Sequence, residues 1–155
     1  MSIELTPNGT RGVEFPRFAR AMMRALAPVS AGFFRLAGRR MRVQGRPLLL
    51  LTTVGAKSGK QRQTILGWFD DPRGKLIVAS NSGATRHPAW FVNMARDPGR
   101  VWVELDGRTT KVRPESLRGE ERAAAWRRIV SLAPGYGGYA TKTDREIPVI
   151  RLVTE

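Results

Sequence analysis

The stretch RVWVELDGRTTKVRP, residues 100–114, constrains the fold of this chain more than any other. Two runs rich in β-branched and aromatic residues flank Asp106-Gly107, and Asp-Gly tolerates the positive φ angles that a tight antiparallel hairpin demands. The same grammar recurs upstream. The apolar run LLLLTTV meets a glycine turn and then QRQTILGWF, in which Arg62, Thr64, Leu66 and Trp68 share one face. The turn DDPRG leads into KLIVASN, and IPVIRLV makes a last strand. Turns cannot carry a chain back to a parallel strand, so these six runs predict a mainly antiparallel sheet.

Helices interrupt the strands. Pro88 suits a first helical turn and predicts a helix through PAWFVNMARD, and a second spans Gly119 to Leu132 with Glu120 and Glu121 at its positive end. The class expected is therefore α+β, an antiparallel barrel of about six strands with flanking helices. Ahead of it, residues 1–46 read as a basic arm and residues 47–155 as the barrel domain. Residues 1–12 are polar and rich in turn formers, and are expected to pack loosely. From Phe15 the residues Phe18, Met22, Leu26 and Val29 recur at helical spacing beside Arg17, Arg20 and Arg24, predicting an amphipathic helix that ends near Pro28. A second short helix is expected over residues 30–41.

The chain has 155 residues, no cysteine and one histidine, His87, which argues against thiolate or multi-histidine metal sites and against a serine-type triad. No metal site is expected. A formal charge of +14 calls for an anionic partner: a phosphorylated or polycarboxylate ligand, an anionic membrane surface reached through residues 13–42, or nucleic acid. Aromatics concentrated in helices and strand ends disfavour nucleic acid. No run is long and apolar enough for a spanning helix, and no signal peptide is visible, so a cytoplasmic protein is expected, with peripheral attachment at the inner membrane face left open.

Three segments carry candidate chemistry. The turn GAKSGKQR fails as a nucleotide phosphate loop, because three residues rather than four separate Gly55 from Gly59 and Gln61 follows Lys60. Its Lys57, Ser58, Gly59 and Arg62 still suit phosphate or carboxylate oxygens, although a solvated hairpin tip would look the same. The loop ASNSGATRHPAW ends a strand and opens a helix, a geometry that presents backbone N–H groups to an anion. His87 in that loop reads as a capping or packing residue rather than a base. The last segment, PGYGGYATKTDREIPV, holds both tyrosines, Tyr136 and Tyr139, on one side of a short helix, as core aromatics or as pocket phenols.

Taken together, LLLLTTVGAKSGKQRQT, VASNSGATRHPAWFVNMARDP and PGYGGYATKTDREIPVI resemble the deazaflavin-dependent nitroreductase family, which uses coenzyme F420. The resemblance runs from about Pro47 to Leu152. It implies a split β-barrel related to the flavin-binding pyridoxamine-phosphate-oxidase group, with the deazaflavin in a groove beside the barrel. Carried over by position, Lys57, Ser58, Gly59 and Arg62 would bind the phosphate and oligoglutamate tail. Thr64 and Ile65 would lie against the ring system, and Ala79, Ser80, Asn81, Ser82, Gly83, Ala84 and Arg86 would cradle ring and linker. Trp90, Tyr136 and Tyr139 would line the acceptor pocket, with the tyrosines as candidate proton donors. The family usually shows a third threonine where Val54 stands, a basic residue at Ala56 and a proline at Ile65. The implied activity is hydride transfer from reduced F420 to a quinone, nitroaromatic or activated alkene. The alternative is a carrier of deazaflavin or flavin, or a basic anion-binding module, without turnover.

Overall fold

The computed structural model describes residues 2–155. Helix α1 spans Arg17–Ala37 and is followed by strands β1 (Leu48–Val54), β2 (Gln61–Gly67), β3 (Phe69–Asp71) and β4 (Gly74–Val78). A short 3-10 turn, Asn81–Gly83, precedes α2 (Ala89–Arg96), β5 (Trp102–Leu105) and β6 (Arg108–Ser116). Helices α3 (Gly119–Leu132) and α4 (Gly135–Lys142) come next, and β7 (Val149–Thr154) closes the chain.

All strand pairs are antiparallel, in the order β2-β1-β5-β6-β7-β4-β3. Strands β2 and β3 sit at opposite ends of this order, yet Trp68 alone separates them in sequence. One residue cannot span a flat seven-stranded sheet, whose strands lie about 4.8 Å apart, so the sheet must curl until its two edges meet. QRQTILGWF is thus two strands rather than one, and the expected six become seven. The break falls at Trp68, just past Gly67, where a Cβ would make ordinary contacts with Arg46 Cβ at 3.4 Å and Tyr136 Oη at 3.6 Å.

The four leucines of β1 are all buried because the strand has apolar neighbours on both faces. Leu49 and Leu51 point into the barrel with Ile77, Phe91, Met94, Val103 and Ile150, while Leu48 and Leu50 meet Ala31 and Phe34 of α1. A second core lies under α3 and α4, where Phe69, Leu76, Val78, Ile129, Tyr136 and Val149 pack together. Strand β7 buries a charge as well: Arg151 donates to Asp71 at 2.6 and 3.2 Å and to Glu121 at 2.6 Å, with Glu115 beside it. These contacts staple β7 to the β3–β4 hairpin and to α3.

Two expectations for the N-terminal region are corrected. Helix α1 runs through Pro28 instead of ending there; proline costs one backbone hydrogen bond, and the helix continues because Ala31 and Phe34 beyond it are anchored on β1. Residues 2–13 are not loose. Gly9 N–H donates to Thr85 O at 2.9 Å, Val13 N–H to Gly83 O at 3.0 Å, and Ser116 N–H to Ser2 O at 3.1 Å, so this strap lies along the barrel. The apolar stripe of α1 is exposed, with Phe18 at 71% and Val29 at 69%.

Candidate active site

The β1–β2 turn is fixed by its own backbone. Gly55 N–H donates to Lys60 O at 2.7 Å, Gly59 N–H to Gly55 O at 2.9 Å, and Gly59 takes the positive φ that closes the turn. Asn93, buried on α2, accepts from Ala56 N–H at 3.0 Å and so ties the turn to the helix that follows the ASNSGATRH loop. Lys57, Ser58, Gly59 and Arg62 are exposed. Nine of the twenty other arginines have a carboxylate partner, whereas among the described residues Lys57, Lys60, Arg62 and Arg86 have none. A cluster of unneutralised cations on a rigid turn is a place where an anion gains without displacing an internal partner.

The loop after β4 is held from several sides. Asn81 and Ser82 have positive φ, and Asn81 Nδ2 donates to Arg86 O at 3.0 Å. Gly83 passes so close to α4 that a Cβ would lie 2.8 Å from Tyr139 O. His87 is buried and neutral: Nδ1 accepts from Arg145 at 2.9 Å, so Nε2 carries the proton and donates to Thr6 O at 2.8 Å. Burial, and then the Arg145 charge, hold its pKa below the ordinary value. This agrees with a packing role.

Tyr136 and Tyr139 project from α4 toward the β2–β3 break, their rings edge to face at 5.8 Å. Tyr136 is buried against Phe69, and burial raises its pKa, so it stays a phenol at neutral pH. Tyr139 Oη accepts from Gln44 Nε2 at 3.1 Å, which leaves its own proton free to be donated. Arg46 stacks 4.6 Å over Phe69 and donates to Trp68 O at 3.3 Å. The tyrosines thus stand at the Gly67 end of β2 and the cationic turn at the Arg62 end. Five residues at about 3.3 Å each separate the two by roughly 17 Å.

A family model described as F420H(2)-dependent quinone reductase matches residues 33–154. The chain belongs to the F420H(2)-dependent quinone reductase family. A Mycobacterium tuberculosis protein, F420H(2)-dependent quinone reductase Rv1261c, is 36% identical over 110 residues, covering 68% of this chain and 72% of the relative. A second from the same organism, putative F420H(2)-dependent quinone reductase Rv3178, is 31% identical over 106 residues, covering 68% and 88%. Among solved structures, F420-H2 Dependent Reductase (FDR-A) superposes with a TM-score of 0.61 at 39% identity, over 69% of this chain and 94% of that one. The split β-barrel of the family is the fold described above.

Within this family framework the predicted residues fall into groups. Lys57, Ser58, Gly59 and Arg62 share the open turn, and Ser82 and Arg86 are exposed on the loop. Ala79 is fully buried and both its backbone groups are taken, by Pro148 O and Arg145, so it cannot touch a ligand. Gly83 and Ala84 are buried too, with N–H and C=O groups occupied by Ser80, Val13, Asn81 and Arg145. Thr64 and Ile65 point to opposite faces of β2, as strand neighbours must. Ile65 packs toward Ala31 and Phe34 of α1, so the two side chains do not meet one ring face. Trp90 belongs to the barrel core and is 7% exposed, edge to face with Phe91, which removes it from the lining of an open pocket. Gln44, Arg46, Asn93 and Arg145 were missed; polar residues in loops and helices carry no signal until the fold shows which are buried.

Proposed function

We propose that this chain, as an oxidoreductase of its family, passes a hydride from reduced coenzyme F420 to a quinone. The observation that carries the reading is the pairing, along one strand, of an unneutralised cationic turn with two tyrosines, Tyr136 buried and Tyr139 partly exposed. When bound, the reduced deazaflavin supplies the hydride; the protein supplies the remainder. Lys57, Ser58 and Arg62 bind the phosphodiester and carboxylates of the tail on the turn that Gly59 closes, and Arg86 and Ser82 add to the same field. Ser80 and Asn81 orient the ligand on the loop side. Tyr136, kept protonated by burial, and Tyr139, whose oxygen is engaged by Gln44, hold protons at the acceptor end, where charge develops during transfer. Packing of α4 and of residues 41–46 over Gly67 excludes water there.

Nitroaromatics and activated alkenes belong to the same proposal, since both accept a hydride and a proton. Mixing the protein with reduced coenzyme and a panel of quinones, nitroaromatics and enones, while following coenzyme absorbance, tests it. Oxidation that depends on protein and acceptor supports the reading. Coenzyme binding without turnover for any acceptor would make the chain a carrier, and tighter binding of FMN would move it to a flavin branch.

A second reading concerns α1. Phe18, Met22, Leu26 and Val29 are exposed along one stripe, and nine arginines lie between positions 11 and 46 against the single acid Glu14. Such a helix fits the surface of an anionic membrane, where lipid-soluble acceptors reside. No helix among the described residues is long and apolar enough to cross one. Phe18→Ser with Leu26→Ser should abolish co-sedimentation with anionic vesicles and leave coenzyme binding intact, because both side chains are exposed and belong to none of the core clusters. Equal sedimentation of parent and variant would reject the membrane reading.

A further inference from the structure

Arg145 lies between α4 and β7 with 4% of its side chain exposed, and every guanidinium nitrogen has a partner. Nε donates to Ala84 O at 3.1 Å, Nη2 to Ser80 O at 2.7 Å, and Nη1 to Ala79 O at 3.0 Å and His87 Nδ1 at 2.9 Å. These four acceptors span the whole loop from β4 to α2. No carboxylate balances the charge among the described residues: the neighbouring Asp144 turns the other way, accepting from Thr10 and Arg11 N–H groups at 2.8 and 2.9 Å. A buried cation solvated only by carbonyls and an imidazole is costly to keep.

The carbonyl contacts have a directional consequence. In a planar trans peptide the C=O and the following N–H point in opposite directions. Drawing Ala79 O and Ser80 O onto Arg145 therefore turns the N–H groups of Ser80 and Asn81 away from it, and neither has an acceptor among the described residues. Two successive N–H groups aimed outward, next to a buried positive charge, form a donor pair for an oxygen that carries negative charge.

We propose that Arg145 is the positioning residue of this site: it fixes the loop from beneath, aims the Ser80 and Asn81 N–H groups at a carbonyl or enolate oxygen of the ligand ring, and leaves its own charge to be balanced by that ligand. The inference rests on the deazaflavin reading for the identity of the ring. It extends that reading by naming a buried residue that never touches the coenzyme and a backbone pair that does.

NMR of the full chain tests it, helped by His87 being the only histidine. Adding oxidised coenzyme F420 to the parent protein should shift the Ser80 and Asn81 amide signals and the Arg145 Nε–H. Arg145→Met should weaken coenzyme binding at least tenfold, and Arg145→Lys, which keeps the charge but reaches fewer carbonyls, should recover part of the loss. Arg145 is the one charged group facing His87, whose other neighbours are Thr6, Asn8 and Phe91, so the His87 ring should titrate at higher pH in Arg145→Met. Coenzyme that binds the parent without moving the Ser80 and Asn81 amides, or that binds Arg145→Met as tightly as the parent, overturns the proposal. Absence of coenzyme binding to the parent would instead overturn the deazaflavin reading itself. Should Arg145→Met fail to fold, the parent shifts and Arg145→Lys still decide.

Discussion

Replacing Lys57 or Arg62 by alanine isolates the contribution of the cationic turn, because the turn does not depend on either side chain. Its closure rests on the Gly55–Lys60 and Gly59–Gly55 backbone bonds and on Asn93, while the one side-chain hydrogen bond of Arg62 among the described residues, to Ser58 Oγ, is 3.5 Å long. Stability should change by no more than about 0.5 kcal/mol, as for other surface positions. If each cation makes one charge-assisted hydrogen bond to the coenzyme tail, its loss costs about 1.5–3 kcal/mol. At 1.4 kcal/mol per tenfold, that is a rise in Kd of about 12- to 140-fold, and the exposure of both side chains places the expectation at the lower end. Quenching of coenzyme fluorescence reads the Kd directly. The difference between parent and variant should shrink at high salt, as the screening length falls from about 10 Å at 0.1 M to about 3 Å at 1 M. Turnover at saturating coenzyme should hold. Asn93→Ala, which frees Ala56 N–H and loosens the turn, should weaken binding too, and less than additively with Arg62→Ala, since a mobile turn already spends part of what Arg62 gains. If both single variants bind as the parent does at low salt, the tail lies elsewhere.

Tyr136→Phe and Tyr139→Phe should each leave coenzyme affinity nearly unchanged and lower turnover with at least one acceptor; equal rates for both across quinones would return the pair to packing. Arg151→Met leaves Asp71, Glu115 and Glu121 without their shared cation, and breaking such a buried pair costs about 3–5 kcal/mol. A chain of this size loses roughly 2–4 °C per kcal/mol, so calorimetry should show a fall of about 6–20 °C. A shift below that range would mean the network is solvated. At acid pH the N-terminal strap should loosen: the Thr10 hydroxyl, then the Arg11 N–H, lower the Asp144 pKa from 3.8 to about 2, so that its contribution is complete above 3.8 and lost as pH falls through about 2. Amide exchange at Thr10 and Arg11 checks this, and protection unchanged below pH 2 would refute it.

The barrel was legible because its signals are local. Asp106-Gly107, the glycine turn at 55–59 and the alternating runs each dictate backbone geometry within a few residues, and LLLLTTV coincides with β1 residue for residue. The break at Trp68 was not legible, since nothing in QRQTILGWF says that its two halves belong to opposite edges of one closed sheet. That follows only from the strand order. Pro28 misled for a related reason: proline's cost is local, whereas the gain from seating Phe34 on Leu48 and Leu50, about 1.5–3 kcal/mol for a buried large side chain, is tertiary.

The candidate site divides along the same line. Residues that present charge to solvent could be found by type and spacing, and Lys57, Ser58, Gly59, Arg62 and Arg86 all lie on exposed turns or loops. Residues that act by being buried could not. Arg145 stands in TKTDREIPV beside Asp144, and adjacent opposite charges in a polar segment read as a solvated pair. The structure separates them: Asp144 caps the strap through Thr10 and Arg11, and Arg145 turns inward onto three carbonyls and His87. The strap that Asp144 holds crosses the same loop that Arg145 organises, since a Cβ on Gly12 would lie 2.5 Å from Thr85 N. Residues 9–13 and 143–145 therefore brace one loop from two directions. This is why polar, turn-rich N-terminal residues, which look dispensable in sequence, belong with the barrel: a deletion that removes them should disturb the loop before it disturbs the helix stripe.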